Sequence, residues 1–175
     1  VKPGGSDELR LEWTGELLFL PAPTGKSEII AAVYAHYRQL CAGRAFPKRA
    51  EIDPTEISIG LPYISIADYQ AEPFRVRFRL IGSEIERHYG GDVRGRWLDE
   101  MPWEPKNIDD TMLIYRRAHE ERRPLFGLSL VTWEARTDHI FEWAVLPLSD
   151  DGETITHALS VDDYTTVTPR NRRAV

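Results

Sequence analysis

The chain has 175 residues, 42% of them hydrophobic and 29% charged, which suits one globular domain with a proper core and excludes a disordered chain. Aspartate and glutamate (28) outnumber lysine and arginine (22), and the net charge of -6 excludes the concentrated basic face of a nucleic-acid binder. One cysteine, Cys41, excludes an internal disulfide and a multi-cysteine zinc site. No apolar run reaches the roughly 18–20 residues of a membrane span, so the expectation is a cytoplasmic protein with no membrane contact.

Residues 1–26 read as an arm and linker. Leu9–Leu20 offers an edge strand, and Pro21-Ala22-Pro23-Thr24-Gly25 is a turn. The main domain is expected over 27–165, with a C-terminal tail over 166–175. A helix is predicted from Ser27 to Cys41, with Ser27 as N-cap, Ile29, Ile30, Val33, Tyr37 and Leu40 at helical spacing, and Gly43 as the stop. Its apolar face must fold back on its own sheet or pair with a second copy. The expectation is a homodimer through Ile30, Val33 and Tyr37. Asp53-Pro54 starts a short helix.

Strands are predicted at Tyr63–Tyr69 and Phe74–Ile81. In the second, Phe74, Val76, Phe78 and Leu80 alternate with Arg75, Arg77 and Arg79, the period of a sheet with one face in the core. Ser83 is read as the cap of a short helix, Glu84–Tyr89, which Gly90-Gly91-Asp92 ends. A longer helix follows over Asp109–Glu121. Three strands, Leu125–Ala135, His139–Leu148 and Thr154–Asp162, are joined by short turns and form a meander. The order predicts an α+β domain: a five-stranded antiparallel sheet with helices on one face and an N-terminal amphipathic helix.

That order is the PAS order, and four segments sharpen the likeness. Arg79-Leu80-Ile81-Gly82-Ser83 resembles the R-L-x-G-[ST] signature of a bacterial PAS-like family, PAS_5. Tyr89-Gly90-Gly91-Asp92-Val93-Arg94-Gly95-Arg96 resembles its [FY]-G-x-D-x-x-G-R segment, with Gly91 as one extra residue. Gly43-Arg44, Pro47, Arg49 and Ile52-Asp53-Pro54 resemble an upstream stretch of the family, and Leu146-Pro147-Leu148-Ser149-Asp150-Asp151-Gly152 resembles its L-P-L-S-x-D-G turn. The resemblance implies a sensory or regulatory domain, without an attached output module, that binds a small molecule or a protein partner. It implies no particular cofactor, and the cofactor is left unknown.

The residues themselves offer no catalytic motif. No histidine pair has zinc-protease spacing, the Gly-rich segment lacks the lysine of a phosphate loop, and no nucleophile elbow occurs. A haem site would draw on His88, which no motif supports. Aromatic residues crowd the segments flanking a PAS cavity, and ligand contacts are expected at Tyr89, Trp97, Trp133, Glu142, His157 and Arg79. Two alternatives stand beside the sensor. One is a small α+β enzyme using Glu142 and His157 as a buried acid–base pair, and the other is a purely structural interaction module with a filled core.

Overall fold

The computed structural model describes residues 17–131 and 139–169. In chain order the elements are β1 (Leu17–Leu20), α1 (Glu28–Cys41), β2 (Ile64–Gln70), β3 (Arg75–Ile81), α2 (Ser83–Tyr89), α3 (Pro105–Glu121), β4 (Leu125–Val131), β5 (His139–Leu148) and β6 (His157–Pro169). Short 3-10 turns lie at Arg49–Glu51, Pro54–Ile57, Leu61–Tyr63 and Leu98–Glu100. The strands form one six-stranded sheet in the order β1-β4-β5-β6-β2-β3, antiparallel throughout. The sheet expected to have five strands has six, and residues 132–135 of the expected strand Leu125–Ala135 lie outside the described residues. The sixth is Leu17–Leu20, the C-terminal end of the sequence offered as an edge strand, paired with β4.

Helices cover both faces of the sheet, not one. Successive residues of a strand point to opposite sides, and β5 and β6 carry apolar residues on both. Trp143, Val145, Ala158 and Tyr164 join the core under α2 and α3, whereas Ala144, Leu146, Leu159 and Val161 join the core under α1. Ser27 caps α1 as expected, its hydroxyl accepting from the Ile30 N–H. Ile30, Val33 and Tyr37 are at most 2% exposed, and the Tyr37 hydroxyl donates to the Pro147 carbonyl. Each such side chain stabilises the docked helix by about 1.5–3 kcal/mol. The face read as a self-association surface is therefore spent inside the chain.

Two local features depart from the sequence pattern. In the β2–β3 pairing, Ile66 faces Leu80 but Ala67 faces Phe78, so Arg79 is an extra, bulged residue. The bulge turns Leu80 toward the α1 core, while Val76 and Phe78 stay on the α2–α3 side. The alternation expected over Phe74–Leu80 therefore breaks at Arg79. The helix read as Asp109–Glu121 starts earlier, at Pro105, whose ring suits the first helical turn. Gly82, rather than Ser83, stands at the cap of α2 and makes no side-chain cap bond.

Gly82 adopts an ordinary extended conformation (φ -71°), so it is not required for backbone freedom. It is required for space: a Cβ there would lie 2.3 Å from the Pro62 carbonyl oxygen and 2.5 Å from that of Leu61. These are backbone atoms of a 3-10 turn and cannot swing aside. Gly82→Ala is expected to cost about 3 kcal/mol of stability, read from the midpoint of urea unfolding at unchanged slope.

A candidate ligand cavity between the helices and the sheet

A cavity of about 480 Å³ opens between the end of α2, the loop Pro102–Glu104, the first turns of α3 and the face formed by β4, β5 and β6. Its size falls in the range of small-molecule sites. The floor is the sheet: Phe141, Trp143 and Val145 from β5, and Ser160 and Asp162 from β6. Register sets this floor, because Trp143 is paired directly with Asp162 and Val145 with Ser160. The wall and roof include Tyr89 and His88 from α2, Trp103, and Thr111, Ile114 and Tyr115 from α3. The Tyr89 and Trp103 rings meet edge to face at 4.6 Å, and the His88 ring stacks on Tyr164 at 3.6 Å.

Gly127 makes room for the largest floor residue. A Cβ at Gly127 would stand 2.1 Å from Trp143 Cζ2, so the indole lies over a strand position that has no side chain. Phe19 on β1 packs against the same ring edge to face. The Trp143 Nε1–H is buried and has no hydrogen-bond partner among the described residues.

Asp162 is the buried acid of the floor, 8% exposed. Its Oδ2 accepts from the Tyr89 hydroxyl at 3.2 Å and the Tyr164 hydroxyl at 3.3 Å. Burial pushes its carboxyl up to about 6, against the opposing effect of those two bonds. Ser160 hydrogen-bonds both Tyr115 (2.8 Å) and Ser65 (2.5 Å), tying the helix to the neighbouring strands.

The opposite face bears a second pair of buried acids. Glu142 and Asp163, 2% and 1% exposed, are paired across β5 and β6. Glu142 accepts from the Thr24 N–H (3.0 Å) and hydroxyl (2.6 Å). Asp163 accepts from the Ser27 hydroxyl (2.5 Å) and from Thr165. Together they hold the segment that leads into α1.

Of the five described residues expected at the ligand, the structure brings only Tyr89 to the cavity. Trp133 lies outside the described residues. Trp97 sits beside β3, with the Arg75 and Arg77 guanidinium groups 4.2 and 4.8 Å from its ring centre. Arg79 pairs with Asp68, which also lies 3.5 Å from His157 Nε2. Glu142 is on the α1 face, where it anchors Thr24. Glu142 and His157 are not neighbours either: Glu142 faces Asp163 and His157 faces Leu148. At about 3.4 Å per residue this separates them by roughly 20 Å along the strands. The acid–base pair suggested by the sequence is not assembled.

Asp162 escaped the sequence reading, which ends the last strand at that residue. The strand runs on to Pro169 and starts only at His157. The signal lay in the turn. Asp151 accepts from Ser149, Glu153 and Thr154, which closes a loop through Thr156 and pairs Leu148 with His157. Counting back from that pair places Asp162 opposite Trp143.

Among the described residues no group of three potential metal ligands comes together, and no helix is long and apolar enough to cross a membrane. Among protein families, the model of PAS_5, a PAS domain, matches residues 25–161. No curated protein and no solved structure matches the sequence.

The raised pKa of Asp162 has a stability consequence. The folded state holds this proton more tightly than the unfolded chain, so the favourable contribution is present below pH 4 and is lost as pH rises through 6. From 3.8 to about 6 this amounts to about 3 kcal/mol. Asp162→Asn is expected to be more stable than the parent at pH 7.5 by up to that amount. Denaturant titrations at several pH values should show the advantage shrinking between pH 6 and 4.

Proposed function

The chain belongs to the PAS_5 family of PAS domains, and from that premise we propose that it is a sensory domain whose ligand is a small organic molecule held in the cavity between α2, α3 and the sheet. The back-to-back arrangement of β5 and β6 supports this reading. Trp143 and Asp162 form one cross-strand pair on the cavity face, and their chain neighbours Glu142 and Asp163 form the next pair on the other face. The first pair would touch the ligand. The second holds Thr24 and Ser27 at the start of α1.

Neighbouring residues share a planar peptide unit. A ligand that shifts Trp143 or Asp162 therefore shifts the anchors of α1 as well. The output of this domain is a change in how firmly the segment 24–27 is held, and a ligand drives it only through different affinities for the two arrangements. The reading is of a binding domain and not an enzyme, which the separation of Glu142 from His157 supports. The open volume favours it over a filled interaction module.

Native mass spectrometry of the protein purified without denaturation tests this. The expected result is a small-molecule adduct that is released on unfolding and is absent from Thr111→Trp, whose indole would fill the cavity from α3. An adduct retained at full occupancy by Thr111→Trp would move the ligand elsewhere. A bare mass in the parent would favour a protein-interaction role.

A further inference from the structure

The chemistry of the cavity narrows the ligand beyond its size. We propose that the site takes a compact organic cation: an ammonium group on an aromatic or apolar body. This rests on the cavity being the binding site.

Charge comes first. The lining holds Asp162, Glu104 and Asp110, and among the described lining residues there is no lysine or arginine. Lys106 stands beside the rim with its Nζ 2.7 Å from Asp110. A carboxylate ligand would meet like charge on entry, whereas a cation would be drawn in.

The floor is incomplete in a way that a cation would complete. Hydroxyl bonds to a carboxylate usually measure about 2.5–2.7 Å. Those from Tyr89 and Tyr164 to Asp162 are 3.2 and 3.3 Å, so they stabilise the buried charge poorly. An ammonium beside Asp162 supplies the missing counter-charge. The rings of Tyr89, Trp103, Phe141 and Trp143 line the same space, and aromatic faces attract an organic cation in a site shielded from water.

Protonation of Asp162 provides a specific signature. The charged and titratable groups around it are His88 and Tyr89 on α2, Tyr115 on α3, Tyr164 on β6, Arg87 acting on Tyr164, and Glu104 and Asp110 at the mouth. Binding a cation requires the ionised acid, so affinity falls as pH drops through 6.

Calorimetric titration of the full chain with three matched probes tests the proposal: tyramine (cationic), tyrosol (neutral) and 4-hydroxyphenylacetate (anionic). Tyramine is expected to bind at least tenfold more tightly than tyrosol, and the anion not at all. Asp162→Asn should abolish the preference for tyramine. In the parent, tyramine affinity should fall about tenfold from pH 7 to pH 5, a change that tyrosol and Asp162→Asn do not show. Equal or tighter binding of tyrosol or the anion would overturn the cationic ligand and leave the cavity as the site. Binding of none of the probes would overturn the cationic proposal. If the native mass were also bare, the cavity reading would fall with it.

Discussion

The register of β5 against β6 is the constraint on which the rest depends. It is fixed at the turn, where Asp151 gathers bonds from Ser149, Glu153 and Thr154, which hold its carboxyl well below the usual carboxylate range. From there the pairing runs Leu148 with His157, Leu146 with Leu159, Ala144 with Val161. A slip of one residue would turn every side chain of one strand to the other face. Asp162 would then point at α1 and Asp163 at the cavity, and each acid would lose its hydrogen-bond partners. The apolar residues on both faces of these strands make that slip costly, so the register is strongly specified.

The second consequence is that the sheet works as a shared wall. Its α1 face is filled by Ile30, Val33, Tyr37 and their partners, while its other face is left partly open as a cavity. Buried acids occur on both sides, but their circumstances differ. Glu142 and Asp163 receive short bonds from Thr24, Ser27 and Thr165 and serve as anchors. Asp162 receives two long ones from the described residues, and burial shifts its acidity. A poorly satisfied buried carboxyl at the floor of a cavity is a more informative sign of a binding site than a well-bonded one.

Several residues of the family motifs have structural roles. Gly82 is needed because the backbone of Leu61-Pro62 passes within contact of its Cα. Asp92 accepts from the Arg94 N–H and guanidinium, closing the loop after α2 and holding its own carboxyl down to about 2. Gly95 donates from its N–H to the Phe78 carbonyl, which lays that loop along β3. None of these residues enters the cavity. Of the motif segments, only Tyr89 and Gly90 reach the cavity, and the rest of the described lining comes from His88, α3, the loop before it and strands β4, β5 and β6.

What the sequence determined by itself was local. The capping of α1 by Ser27, the β5 boundaries, the Asp53-Pro54 helix start and the meander all follow from short-range signals: side chains that bond nearby backbone, alternation of period two, and residues that suit turns. Tyr89 and the aromatic richness around it were legible on the same basis. The tertiary structure decided which face each side chain meets. Helices lie on both sides of the sheet because β5 and β6 are apolar on both faces, and a single period cannot say which apolar face belongs to which helix. Arg79 was drawn out of alternation by a bulge, and Trp97 was taken up by Arg75 and Arg77. Glu142 and His157, on neighbouring strands, were set far apart by the register. The pairing of Trp143 with Asp162 depends on where the turn closes, which fixes contacts between residues far apart in the chain. That is long-range geometry, and no local pattern of residues encodes it alone.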